Sequence, residues 1–192
     1  MNISMKNISL SGFLLASLLL ASSAAAQQPA PLDGILRAMD VVPTAEQMSA
    51  VLPEPVSMLR DAALDTSRST YERTRAVTLL SVYPGAESRL ALNELLNAAD
   101  EDVRRLALWT LARTFGDTQD PVLAAQIATF FADPSEAIRE EAVRAMRWVD
   151  HADAAQYLIE LRPTASADLV RIIDHTLERR ADRLAAGDQV TR

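Results

Sequence analysis

The sequence predicts an all-α fold, an α-solenoid of antiparallel helix pairs, and three observations support this prediction. Four helix starts recur at intervals of 31, 35 and 31 residues. Each start is a short polar residue that can accept hydrogen bonds from the free N–H groups of a first turn. No segment alternates apolar and polar residues over a useful length, so no strand is predicted. The four capping residues are Ser69, Asp100, Ser135 and Ser166.

The helices that follow these caps share one register. Seven positions after the cap stands a residue that is small in three of the four helices, and a large apolar residue stands four positions later. A small residue lets neighbouring helices approach, and a large one then interlocks with the facing helix. The pairs are Ala76 with Leu80, Ala107 with Leu111, Ala142 with Met146, and Ile173 with Leu177.

Residues 1–26 have the pattern of a signal peptide. Lys6 supplies a positive start, residues 10–20 an apolar run, and residues 24–26 a small-residue cleavage site. The alternative is an uncleaved membrane anchor, but the run is shorter than the roughly 20 residues that span a bilayer. We therefore predict cleavage after Ala26, a periplasmic or secreted location, and no membrane insertion of the mature chain.

Charge and cysteine content narrow the possible partners. Lys6 is the only lysine, so residues 27–192 carry 18 Arg against 26 Asp and Glu. A nucleic-acid partner is not predicted, because binding to phosphates requires a basic surface. The chain has no Cys, so disulfides and a lipid-anchored start are excluded and packing alone must stabilise the fold.

Residues 27–53 are predicted to be a linker followed by two short capping helices. Leu32, Ile35, Leu36 and Met39 have helical spacing. Thr44 and Gln47 form a capping box that begins the second helix. Because the first core face of a solenoid would otherwise be exposed, this segment is expected to cover it.

Residues 54–184 are predicted to form about four helix pairs, and residues 185–192 a flexible tail without an apolar face. The outer helices alternate with the four capped inner helices. They are predicted at Pro55 to Leu64, Ala86 to Ala99, Pro121 to Ala132, and His151 to Leu161.

Two strings resemble the inner helix of HEAT repeats, especially the short bacterial kind. They are D-E-D-V-R-R-L-A-L-W-T-L at 100–111 and S-E-A-I-R-E-E-A-V-R-A-M at 135–146, with weaker matches at 71–80 and 166–177. The resemblance spans roughly residues 54–183 and implies a right-handed α-solenoid. Tetratricopeptide repeats have a similar period, but their aromatic and glycine pattern is missing here. HEAT motifs are specific for fold and nearly silent on function.

Arginine recurs four residues after three of the caps, at Arg73, Arg104 and Arg139. In HEAT-like repeats this arginine usually ties adjacent repeats together, so the resemblance implies a structural ladder. The alternative is a row of anion-binding groups. If the ladder interpretation holds, replacing Arg104 should lower stability before it affects binding.

The inner-helix face opposite the core stripe is predicted to line a concave surface that binds a protein or peptide partner, with an acidic or extended segment as one option. Trp and Arg are enriched at binding hot spots. The alternative is that Trp109 packs on a neighbouring helix or on the stem of Arg105. Trp148 is interpreted as core. The predicted patch consists of Trp109, Arg105, Arg144, Arg147, Arg171 and His175.

No catalytic residue, metal or cofactor is predicted. The two histidines, His151 and His175, have no partner motif. A HEAT-type di-iron hydroxylase family carries His-Glu dipeptides on its inner helices, but these histidines precede Ala152 and Thr176. The bilin lyases among short HEAT-like proteins act in the cytoplasm, which the signal peptide argues against.

The function predicted from these observations is that of an exported, non-catalytic scaffold or adaptor. An accessory or regulatory subunit of an envelope enzyme is the alternative, and an enzyme in its own right comes third. A short solenoid leaves apolar end faces, so weak self-association through the last repeat is also predicted.

Overall fold

The computed structural model describes residues 31–39 and 41–190, with side-chain surroundings up to residue 186. The predicted signal peptide, its cleavage after Ala26 and the start of the linker lie outside these residues. Within the described part, no helix combines the length and apolar character needed to cross a membrane.

The described chain is an α-solenoid, as predicted. Two short helices, α1 (Pro31–Arg37) and α2 (Ala45–Ser49), precede four helix pairs. The pairs are α3 (Pro55–Leu64) with α4 (Thr70–Leu79), α5 (Ala86–Leu95) with α6 (Glu101–Phe115), α7 (Pro121–Ala128) with α8 (Glu136–Ala145), and α9 (Asp153–Leu161) with α10 (Ala167–Val190). Successive inner helices pack on one another in the order α4, α6, α8, α10, which forms the inner face of the solenoid.

All four predicted caps of the inner helices are present. The Asp100 carboxylate accepts a hydrogen bond from the Val103 N–H at 3.0 Å. The Ser135 and Ser166 hydroxyls accept from the N–H groups of Ile138 and Leu169, each at 3.3 Å. Ser69 forms a full capping box with Glu72, and so does Thr44 with Gln47. The sequence therefore identifies where each inner helix begins.

The shared register forms the core. Ala76, Ala107, Ala142 and Ile173 are buried, as are Leu80, Leu111 and Met146. Leu177, the corresponding large residue of α10, is only half-buried. No further inner helix follows α10 in the described chain, so one side of Leu177 lacks the neighbour that covers its counterparts.

The last helix differs from the prediction. It continues to Val190, six residues beyond Leu184, where the sequence predicts a flexible tail. Helix hydrogen bonds are local, and alanine has the highest helix propensity, so Ala185 and Ala186 extend the helix without an apolar face. The half-buried apolar residues of α10 also contrast with the exposed Met39, Val41 and Val42 at the other end of the solenoid.

Ionic and polar contacts fasten the N-terminal helices to the first pair. The Arg37 guanidinium donates to the Glu72 carboxylate at 2.8 Å, and Arg68 donates to Asp33 at 2.8 Å. Arg75 donates to the main-chain carbonyls of Ile35 at 3.0 Å and Val41 at 2.5 Å. These long-range contacts explain how short helices stay in place, since helices of this length are unstable alone.

Acid is expected to weaken this N-terminal attachment. Hydrogen bonds from Arg37 and then Ser69 lower the pKa of Glu72 from 4.5 to about 2. A carboxyl group with a lowered pKa stabilises the fold above pH 4.5, and this stabilisation is lost as the pH falls towards 2. Thermal unfolding of the wild type and of Glu72→Gln should therefore differ at pH 6 and converge near pH 2. A difference that stays constant over this range would contradict the assignment.

Candidate functional site

Two grooves open between inner helices. The first groove lies between α4 and α6, encloses about 600 Å³, and has Trp109, Leu106 and Tyr71 as its large apolar or aromatic side chains. Trp109 is half-buried and belongs to the groove wall rather than to the packed core. Hydroxyl and charged groups complete the lining, namely Thr70, Thr74, Thr78, Asp102, Arg105 and Glu141.

The second groove lies between α8 and α10 and encloses about 610 Å³. Its lining is mostly charged and contains four arginines against two acidic residues. The arginines are Arg144, Arg147, Arg171 and Arg179; the acids are Glu140 and Asp168; and Ile172, His175 and Thr176 complete the lining.

The six residues of the predicted patch line two grooves rather than one. Trp109 and Arg105 line the first groove, whereas Arg144, Arg147, Arg171 and His175 line the second. The patch is divided because α8 stands between the two openings. The sequence shows which residues face away from the core, but not which inter-helix gap each side chain enters.

Acidic partners on the same helix reduce the positive charge of the predicted patch. The Arg105 Nη2 atom lies 2.9 Å from Asp102 Oδ1, and Arg144 Nη2 lies 2.8 Å from Glu140 Oε2. Arg171 pairs with Asp168. These pairs span one helical turn and are largely exposed, so each adds only about 0.3–0.5 kcal/mol and can exchange for a partner's carboxylate.

Glu141 gives the first groove a carboxyl group of unusual character. Burial raises its pKa, an effect that the nearby positive charges of Arg144, Arg105 and Arg147 only partly oppose. A carboxyl group beside Trp109 that takes up a proton easily can donate a hydrogen bond as well as accept one.

The arginine ladder is structural, although only Arg73 links two pairs. Its Nη2 atom donates to Oδ2 of Asp100, the cap of the next inner helix, at 2.7 Å. Arg104 instead donates to the carbonyls of Ala98 and Ala99, in the loop before its own helix. Arg139 makes the equivalent contacts with Asp133 and Pro134. For Arg104 and Arg139 the predicted link between repeats is therefore wrong; they fasten each inner helix to its own loop.

Trp148 forms a cluster that the sequence interpretation missed. The side chain is half-buried against the core, and guanidinium carbons lie over its ring. Arg113 and Arg147 lie 4.2 and 4.6 Å from the ring centroid, and Arg183 lies 6.0 Å away. The sequence does indicate part of this cluster, since Arg179 and Arg183 are four residues apart and lie on one face of α10. We call Trp148 with Arg113, Arg147, Arg179 and Arg183 the Trp148 cluster.

The histidines do not supply the ligands of a di-iron centre. His151 Nδ1 accepts a hydrogen bond from the Asp153 N–H at 3.3 Å, and His175 is exposed on α10, 3.7 Å from Glu178. In the chain that the structure describes, no group of three or more His, Cys, Asp or Glu residues is placed to hold a metal ion. The residues present therefore do not fit the metal site of the HEAT-type hydroxylases.

Stacked helix pairs, repeating caps and grooves along the inner face define an α-helical repeat protein. Residues 89–174 match the family model described as HEAT repeats. This match supports the HEAT-repeat resemblance that the inner-helix strings predicted.

No curated protein matches the chain. Among solved structures, it is similar to human deoxyhypusine hydroxylase in complex with glycerol, at 25% sequence identity and a TM-score of 0.53. The similarity covers 73% of this chain and 46% of the hydroxylase chain. The chain thus spans less than half of that enzyme.

Proposed function

We propose that this chain is an exported, non-catalytic scaffold that binds a protein partner along its inner-helix face. The observation that carries the proposal is the first groove, in which the half-exposed Trp109 lies beside Tyr71 and Leu106. Tryptophan in a groove is a typical hot-spot anchor, and HEAT repeats generally mediate protein–protein interaction. The neighbouring second groove adds arginines suited to an acidic segment of the same partner.

The second candidate is an accessory subunit of an envelope enzyme, in which the partner carries the activity. The similarity to an enzyme of the HEAT class gives this candidate its support. A scaffold should retain several different proteins, whereas an accessory subunit should retain one enzyme in stoichiometric amount. Self-association through α10 has little exposed apolar surface to draw on, because the large apolar residues of that helix up to Leu184 are at least half-buried.

Affinity capture from an envelope extract tests the proposal. The mature protein is compared with Trp109→Ala/Arg144→Ala, which alters one residue in each groove. Retention of the partner should fall about tenfold or more, since loss of a hot spot costs at least about 2 kcal/mol. The matched control is Leu90→Ala/Arg162→Ala, which removes one exposed apolar side chain and one arginine from elsewhere on the surface.

All three proteins must show equal helicity and melting temperature before capture is compared. Equal retention by the groove variant and the wild type would contradict binding at the inner face. Loss of retention in the control variant alone would place the partner on the outer helices.

A further inference from the structure

Three arginines have no partner in the part of the chain that the structure describes. Arg113, Arg147 and Arg179 form neither an ion pair nor a hydrogen bond with a main-chain carbonyl there. Every other arginine whose side chain is described contacts a carboxylate or a carbonyl, as Arg162 with Asp174 and Arg180 with Val149 illustrate. Acids outnumber bases in this chain, so an arginine without a partner is unexpected.

The three unpaired arginines converge on Trp148. Arg113 and Arg147 lie over its ring, and Arg147 and Arg179 line a cavity of about 360 Å³ beside it. Arg183 lines the same cavity, oriented by the Arg147 carbonyl at 2.9 Å and by the Asp150 carboxylate. The cation–π contacts position the guanidinium groups without neutralising them.

Two hydrogen-bond donors of the cluster are unsatisfied within the described chain. Arg147 Nε and Trp148 Nε1 are buried and have no acceptor among the residues that the structure describes. Asp182 is the one carboxylate among the five residues that line the cavity, and Asp150 is already paired with Arg183. Four guanidinium groups thus face two carboxylates, and the missing component is a group rich in acceptor oxygens.

We propose that the Trp148 cluster binds an oxyanion, a carboxylate or a phosphate group. Guanidinium groups bind both through paired N–H···O hydrogen bonds. The oxyanion has two conceivable sources, a free small anion or the acidic side chains of a bound peptide, and both present the same chemistry to the cluster. The inference does not rest on the first groove, which carries the proposed function, although Arg147 and Arg179 line both the second groove and the cavity beside Trp148.

Tryptophan fluorescence tests the site directly, since the chain has only two tryptophans. In a Trp109→Phe background, Trp148 is the sole reporter. The probes are inorganic phosphate and a hexaglutamate peptide, each compared with sodium chloride at equal ionic strength. The site variant is Arg147→Gln/Arg179→Gln. The charge-matched control is Arg60→Gln/Arg162→Gln, whose two arginines form ion pairs elsewhere on the surface.

We expect a saturable fluorescence change with at least one probe, an affinity about tenfold or more lower in the site variant, and no loss in the control. Saturation with phosphate alone would identify a free anion as the source, and saturation with the peptide alone an acidic segment. A response equal to that of chloride, or equal affinity in the site variant, would overturn the proposal. Should Trp109→Phe not fold, calorimetric titration with the same probes can compare the affinities of the wild type, the site variant and the control, each with Trp109 unchanged.

Discussion

Gly116→Ala is expected to lower the free energy of unfolding by about 3 kcal/mol, at the upper end of the range for overpacking. A Cβ atom on Gly116 would lie 2.2 Å from the Trp148 carbonyl oxygen and 2.7 Å from its carbonyl carbon. These are main-chain atoms, so no side-chain rotation relieves the clash. The approach is held in place, since the Asp150 N–H donates to the Gly116 carbonyl at 2.8 Å.

Thermal unfolding measures this effect, and a loss of about 6–12 °C in melting temperature is expected for a chain of this length. The control is Gly34→Ala in α1, where an added Cβ would meet nothing within 4 Å. That substitution should be neutral or stabilising by up to about 1 kcal/mol, because alanine is the better helix former. Equal melting temperatures for Gly116→Ala and the wild type would show that the two segments are not in contact.

Arg180→Met is expected to cost about 3 kcal/mol, because a buried charged group and its hydrogen bonds are removed together. Burial lowers the pKa of Arg180, and its guanidinium donates to three successive carbonyls, those of Val149, Asp150 and His151, at 2.9–3.1 Å. Methionine fills a similar volume but leaves these carbonyls without the donor. The contact between α10 and the loop before α9 should therefore loosen.

Urea unfolding of Arg180→Met beside Arg179→Met separates this effect from a general loss of charge. Arg179 is exposed and has no partner among the described residues, so its replacement should change stability by no more than about 0.5 kcal/mol. Similar midpoints for the two variants would mean that the Arg180 hydrogen bonds contribute little to stability.

The sequence predicted those parts of the fold that depend on local chemistry. Ser69, Asp100 and Ser135 could be recognised as caps because a cap needs only its own first turn. The core register was equally visible, since Ala107 and Leu111 lie on one helix face. The length of α10 was mispredicted because the absence of an apolar face was read as the absence of a helix.

The candidate site was less predictable, because its geometry depends on contacts between distant residues. Arg104 has the same position in its repeat as Arg73, yet the two side chains turn to different acceptors. Trp148 has the apolar character of a core residue. The cluster is visible only in the structure, because Arg113 and Arg183, which lie over its ring, belong to other helices. Gly116 has an ordinary right-handed conformation, so its requirement for glycine comes from Trp148, which is 32 residues away.

The hydrogen bond between the Asp150 N–H and the Gly116 carbonyl has a mechanical consequence. The turns of a solenoid can move relative to one another, because each turn contacts only its neighbours and does so mainly through side chains. Here one main-chain bond joins the end of the second pair to the loop that follows the third. Such a bond is short and directional and resists sliding, so elastic stiffness is uneven along the chain. The coil should be stiffest where this bond joins its second and third turns.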